Sequence, residues 1–277
     1  MIRIQDLWVA VMVFAATLPV AAEEAGPPQG SSDLLQRFPV KEARQGVGVD
    51  ADAFYAVDNG AIAKYDKKTG ALLGKWQGDA IHLDSAVVVD GRIYAAHSNY
   101  PACPAVSSVE IWDAATLKHI GSHSLGVQRG SLTWIDQDAK GVWWGTFANY
   151  DGIFGKCPDA GGTDHTQLVR FDGNWRVAEA WAFPGALLEK FGDMSNSGGS
   201  WGPDGRLYIS GHDRPELYIV ELPEIGATLR WVGTVPIEIS GQGFAFDRTQ
   251  PGLVYGIIRR MDGGEVTVSR VAPPGIN

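Results

Sequence analysis

Along the chain, short apolar runs are broken by Asp- and Gly-rich turns in a unit that occurs five times. Residues 84–99, DSAVVVDGRIYAAHSN, show it most clearly. An apolar strand ends in a bend at Asp90 and Gly91, a second strand carries Tyr94, and a polar loop opens at His97. Residues 45–58, 130–147, 199–210 and 242–257 repeat the pattern: an apolar strand, an Asp, a short turn, and a strand bearing Tyr55, Trp144, Tyr208 or Tyr255. The bend residues Asp50, Asp90, Asp136, Asp204 and Asp247 are 40, 46, 68 and 43 residues apart, against about 40–50 for a four-stranded propeller blade. The one long step holds two insertions, a Gly-rich loop at 155–165 and the segment 183–196, whose GALLEKFG core predicts a short helix.

Third strands are expected at 61–65, 108–112, 167–171 and 217–220, and fourth strands at 72–76, 119–124, 177–181 and 229–234. The fifth repeat has three strands, at 243–246, 253–257 and 266–271, whereas 34–38 is an apolar strand with no repeat of its own. The fold class is therefore all-β, a five-bladed β-propeller whose last blade is closed by an N-terminal strand. Such closure removes the open sheet edge. The Trp112–Asp113 pair is read as a strand end and turn rather than as a WD repeat.

Length and composition are those of one closed repeat domain: 277 residues, 45% hydrophobic, with 35 glycines for turns and 10 tryptophans for intersheet packing. A net charge of −9 and the lack of any Lys/Arg cluster exclude a nucleic-acid or anionic-membrane surface. At the N-terminus Arg3, an apolar run over 7–20 and Val20-Ala21-Ala22 predict a leader over 1–22. The run is shorter than the roughly 20 residues of a membrane span, so a cleaved leader is the better reading, followed by a polar linker at 23–32 and the propeller at 33–277. A periplasmic or secreted monomer, without stable membrane insertion after cleavage, is the expectation. In such a compartment the two cysteines, Cys103 and Cys157, are expected to form a disulfide rather than a metal site or two free thiols, since there is no CxxC.

In a four-stranded antiparallel blade, the loops after second strands and those between blades emerge at one end, and all other loops at the opposite end. That rule sorts this sequence sharply. The opposite end carries plain turns (DADA, DGR, DKKTG, PDGR). The shared end collects His82, Asp84, Ser85, Arg129, Ser131 and Gln242 from interblade loops, and His97, Asn99, Tyr100, Tyr150, His212 and Arg259 from the loops after second strands. Five converging polar sets can form a small-molecule site at the axial mouth; equally, a propeller mouth can be lined by polar groups and water with no chemistry.

Asp84 is the acid/base candidate, because an inner-strand carboxyl at the mouth is desolvated and its pKa rises. A turn carboxylate capping loop amides is the competing role. His97 and His212 are further candidates for proton transfer. His82, His97 and His212 with Asp84 could also ligate a divalent metal such as Zn²⁺ or Mn²⁺, although their spacing is not diagnostic, so a cofactor stays open between none and a metal at the mouth. His119 and His123 fall on an outer strand and are read as solvated. No nucleophile elbow, P-loop, GxGxxG or HExxH motif is present.

Residues 44–70, RQGVGVDADAFYAVDNGAIAKYDKKTG, resemble the opening blade of the five-bladed glutamine cyclotransferase propellers. Residues 83–96 align with the blade that carries that family's catalytic Glu, and here the family's Glu-Gly is Asp84-Ser85. The stretches AHSNYP, SSVEIWDA, GSLTW and GPDGRLYISGHD are similar to those of bacterial proteins labelled cycloisomerase. These resemblances imply the fold and, less directly, an activity. Two functions of different class follow. One is an enzyme acting on a small polar or carboxylated metabolite by cyclisation or related lactone or lyase chemistry, with Asp84 moving a proton and Arg129, Gln242 or Arg259 orienting the substrate. The other is a noncatalytic propeller binding a glycan, metabolite or protein partner through the same mouth.

Overall fold

The computed structural model describes residues 26–127, 129–151, 161–261 and 263–275. The expected leader and Cys157 lie outside the described residues. Among those described, no helix is long and apolar enough to cross a membrane.

The chain begins with β1 (Ser31–Pro39) and then builds blades from the axis outward. Blade one is β2 (Gly46–Val49), β3 (Ala53–Asp58), β4 (Ala61–Asp66) and β5 (Leu72–Gln77). Blade two is β6 (His82–Val89), β7 (Arg92–Ser98), β8 (Val106–Asp113) and β9 (His119–Val127). Blade three is β10 (Ser131–Gln137), β11 (Trp143–Ala148), β12 (Gln167–Phe171) and β13 (Val177–Ala182). The helix α1 (Gly185–Phe191), formed by the GALLEKF segment, leads into blade four, which is β14 (Asn196–Trp201), β15 (Leu207–Gly211), β16 (Glu216–Glu221) and β17 (Arg230–Pro236). Blade five is β18 (Ala245–Phe246), β19 (Leu253–Arg260) and β20 (Gly263–Ala272), with β1 antiparallel to β20 as its fourth strand. The strand begins earlier than its apolar core suggested. Ser31 already pairs with Ala272, and Pro28 and Gly30 exchange backbone hydrogen bonds with Thr234, so the end of the polar 23–32 segment is docked on blades four and five.

Burial follows position in the blade. Inner strands such as β2 are buried at every position, because both faces meet neighbouring blades; outer strands β5 and β9 are largely exposed. The apolar core is five clusters, each shared by two adjacent blades. Phe38, Phe54 and Tyr255 join blades five and one, Tyr55, Leu83 and Trp112 join one and two, and Val109, Leu132 and Phe147 join two and three. Trp134, Leu207 and Tyr218 join three and four, and Tyr208, Ile219 and Phe246 join four and five. An open array of five blades would have four interfaces; five interfaces make a closed ring.

At the axis the strands approach too closely for side chains. A Cβ on Gly243 would lie 2.6 Å from Ser85 Oγ, and one on Gly46 would lie 3.0 Å from the Ser85 Cα. Glycine at these two places lets three blades meet.

Candidate functional site

Three inner strands start with a β-bulge, and the bulges carry the chemistry. In β6, Leu83 pairs with His97 and Ala86 with Ala95, so Asp84 and Ser85 together oppose Ala96. In β10 the register slips at Thr133, and in β14 at Ser197. Each slip inserts an unpaired polar residue into an otherwise buried strand and turns a side chain toward the axis. Blade five reaches the same place with Gln242, held in a left-handed conformation at φ 68° by hydrogen bonds from its backbone N–H to Gly211 O (2.9 Å) and from its Nε2 to His212 O (3.0 Å). Strained backbone of this kind persists where its surroundings fix it.

A cavity of about 460 Å³ opens at this end. Every blade contributes from the start of its inner strand and from the end of its second. The pairs are Gln45 with Asn59, His82 and Asp84 with Tyr100, Thr133 with Tyr150, Ser197 with His212, and Gln242 with Arg259. Ile81, Pro101 and Met194 complete the wall.

Asp84 is the buried carboxyl of this site. Its side chain is 5% exposed, and its Oδ2 has no hydrogen-bond partner among the described residues. Burial pushes its pKa well above the usual carboxyl range, and the Arg259 charge only partly opposes that shift. The nearest basic atom is His82 Nε2, at 3.4 Å. His82 Nδ1 lies 2.8 Å from Asn59 Oδ1, which also accepts from Gln45 Nε2 at 2.9 Å. An amide oxygen only accepts, so His82 carries its proton on Nδ1 and presents a bare Nε2 to Asp84. Desolvation, reinforced by His97, pulls the His82 pKa down to about 4, so the ring is neutral at neutral pH. Two lone pairs would face one another unless Asp84 held a proton. A proton on Asp84 Oδ2 would remove that clash, and both pKa shifts disfavour charge on the pair.

His82, Tyr100 and Tyr150 form an aromatic wall with centroid separations of 5.1 and 5.0 Å. Desolvation and the proximity of Asp84 raise both tyrosine pKa values, so both hydroxyls stay protonated; a hydrogen bond from Ser131 opposes the rise at Tyr150. On the blade-five side, Arg259 lies 3.1 Å from His212 Nε2, and His212 Nδ1 lies 2.8 Å from Asp213 Oδ1. Desolvation holds His212 neutral.

Of the residues singled out from sequence, His82, Asp84, Tyr100, Tyr150, His212, Gln242 and Arg259 line the cavity, and five do not. His97 stands behind the wall: its Nε2 accepts from Ile81 N–H (3.4 Å) and its Nδ1 meets Ser108 Oγ (2.9 Å), which donates to Glu110 (2.6 Å). Both ring nitrogens are engaged, so His97 positions the Ile81–His82 backbone instead of facing a ligand. Ser85 is turned by the bulge onto the glycine contacts at the axis. Asn99 staples its own loop through Pro104 O and Val106 N–H. Arg129 is exposed and bonds Gln167 away from the cavity, and the guanidinium that acts on Asp84 is Arg259. Ser131 is buried beneath Tyr150, and the mouth position expected for it belongs to Thr133. Among the described residues, no group of three or more His, Cys, Asp or Glu side chains is arranged to hold a metal ion. His119 is exposed on the outer strand β9, as read, and there packs on Trp112 at 5.0 Å and bonds Glu110 at 2.8 Å.

No protein-family model matches this sequence, and no curated protein sequence matches it. The fold is similar to that of Myxococcus xanthus glutaminyl cyclase, with 10% sequence identity and a TM-score of 0.59 over 90% of this chain and 99% of that one. It is also similar to the PQQ-bound form of aldose sugar dehydrogenase from Streptomyces coelicolor, with 11% identity and a TM-score of 0.55 over 89% of this chain and 100% of that one. At such identities the likeness shows the propeller fold alone.

Proposed function

We propose that this protein is an enzyme that closes a small polar metabolite on itself, with Asp84 as the group that moves the proton. The observation that carries this reading is the buried Asp84 carboxyl at the cavity wall, with an unpartnered oxygen facing a histidine nitrogen that can only accept. A carboxyl kept neutral by burial can donate a proton at neutral pH and take one back. In the reaction, an N–H or O–H nucleophile of the substrate attacks its own carbonyl carbon, and the bond from that carbon to an amine or hydroxyl leaving group breaks. Asp84 gives its proton to the leaving atom and receives the one shed by the nucleophile. The carboxyl ends as it began, and His82 Nε2 steadies it in between. The position of Asp84 in the blade that aligns with the cyclotransferase Glu favours this chemistry, as do the stretches similar to cycloisomerase-labelled bacterial proteins.

We further infer that the chain is exported as a monomer after cleavage behind Ala22, and that Cys103 and Cys157 are bridged; the apolar run at 7–20 and the even cysteine count support this. A thermal-shift screen of small amides, esters and acids on purified protein, followed by mass spectrometry of the hits, tests the enzymatic reading. The expected product is lighter than its substrate by the expelled leaving group, an ammonia or amine from an amide, an alcohol from an ester or water from an acid, and Asp84→Asn lowers turnover by about 10²–10⁴ with affinity retained. Ligands that bind but are never converted would establish the noncatalytic alternative.

A further inference from the structure

Across the cavity from Asp84 lies a cation with an unusual set of neighbours. Most other guanidiniums with carboxylate partners hold one at 3.0 Å or closer, the exception being Arg206, which shares two carboxylates at 3.4 and 3.7 Å. Arg37 bridges Glu238 and Glu265 at 2.7 and 2.8 Å, Arg170 meets Glu179 at 2.6 Å, and Arg248 meets Asp136 at 2.5 Å. Arg259 has no carboxylate closer than Asp213 at 3.7 Å, and that side chain is 75% exposed while Arg259 is 27% exposed.

The groups around Arg259 offset its charge only in part, the exposed Asp213 being the main favourable one. His212 donates from Nδ1 to Asp213 and so offers Arg259 only a neutral lone pair at Nε2. Arg44, whose guanidinium bonds the Arg260 carbonyl at 3.1 Å, lies near enough to repel it. Burial disfavours charge on Asp84, and His82, Tyr100 and Tyr150 are uncharged at neutral pH. The cavity thus holds one fixed positive charge, with most of its five N–H donors uncommitted to any carboxylate.

We propose that Arg259 is an anion subsite and that the substrate is a small carboxylic acid, whose carboxylate pairs with the guanidinium while its reacting end lies against Asp84. A planar carboxylate matches the guanidinium fork and replaces water with charge-assisted hydrogen bonds in a partly desolvated wall. Gln242, in its fixed backbone conformation beside His212, is the neutral neighbour that shapes this end of the cavity. The inference rests on the reading of this cavity as the functional site, but not on turnover.

The test is isothermal titration of the full chain with succinate and with succinamide, which differ in charge but little in shape. Succinate binds about 10-fold tighter or more to the wild type, Arg259→Gln abolishes the preference at an unchanged melting temperature, Arg259→Lys keeps part of it, and Asp84→Asn keeps it in full. Equal binding of the two probes, binding of neither, or a preference that survives Arg259→Gln overturns the proposal. If the preference holds but no carboxylic acid is ever converted, the subsite stands and the enzymatic reading fails.

Discussion

The two ends of this propeller each bury a carboxylic acid near the start or end of an inner strand, and treat it in opposite ways. At the plain end Asp136, 2% exposed, accepts from Gln137 N–H, Trp201 N–H, Ser200 Oγ and Arg248. Asp247 lies 2.5 Å from the Lys67 ammonium, and Asp50 and Asp204 each accept from the tyrosine of the following strand as well as from turn amides. These carboxyls tie bends to strands and blades to one another. At the mouth, Asp84 is equally buried and has an oxygen with no donor. Burial alone therefore does not mark a functional group. A buried carboxyl with neither a donor nor a close cation does: Asp247 Oδ2 also accepts no hydrogen bond but faces the Lys67 ammonium, whereas Asp84 Oδ2 faces only a neutral imidazole.

The sharpest way to break this comparison is to exchange effects between the two acids. Asp84→Asn removes turnover and leaves stability at neutral pH unchanged or improved, since no donor loses an acceptor. Asp136→Ala leaves the buried Trp201 N–H and Ser200 hydroxyl unsatisfied and lowers stability by about 2–5 kcal/mol, with turnover per folded molecule retained. Urea melts and steady-state rates on the two variants measure both; a stability loss in Asp84→Asn as large as that in Asp136→Ala would dissolve the contrast.

Next in size is a pH effect. A carboxyl whose folded pKa lies above its unfolded value is stabilising only at low pH, so its contribution falls as pH rises from about 4 through the folded pKa, by up to about 1.4 kcal/mol per unit. His82, whose folded pKa is pulled down to about 4, has the opposite sign: the fold loses stability as pH drops from about 6.5 toward 4. The stability of Asp84→Asn should therefore gain on the wild type as pH rises above about 4, and that of His82→Gln should gain on it as pH falls below about 6.5. Parallel curves for wild type and Asp84→Asn would mean that Asp84 titrates normally.

The smallest effect expected is at Asn59, which holds the His82 tautomer. Asn59→Ala should slow turnover about tenfold with little change in KM, while Asn59→Asp keeps an acceptor at Nδ1, restores part of the rate, and shifts the pH–rate profile upward by making His82 more basic. A profile identical in all three proteins would reduce Asn59 to a packing residue.

The sequence made the ring legible because each blade repeats one period-two pattern, and even the missing fourth strand of blade five and its replacement by β1 could be found by counting. The loop-sorting rule likewise brought His82, Asp84, Tyr100, Tyr150, His212, Gln242 and Arg259 to one end. It could not say which way each side chain points, because that depends on bulges, and a bulge shifts register by one residue without changing composition. Thus Thr133 took the place expected for Ser131, and Ser85 turned away. The visible trace of each bulge is a polar residue interrupting a buried apolar run, at Asp84, Thr133 and Ser197. Polar residues such as His97, at the end of β7, and Asn99 and Arg129, in loops, looked functional for a different reason: the hydrogen bonds that occupy them lie in strands and loops distant in sequence or invisible without coordinates.

The central claim is that Asp84 carries a proton at neutral pH. An infrared difference spectrum between the wild type and Asp84→Asn at pH 7 reads this directly. The prediction is a protonated-carboxyl C=O stretch present in the wild type and absent from the variant; carboxylate bands in its place would show an ionised Asp84 and contradict the account.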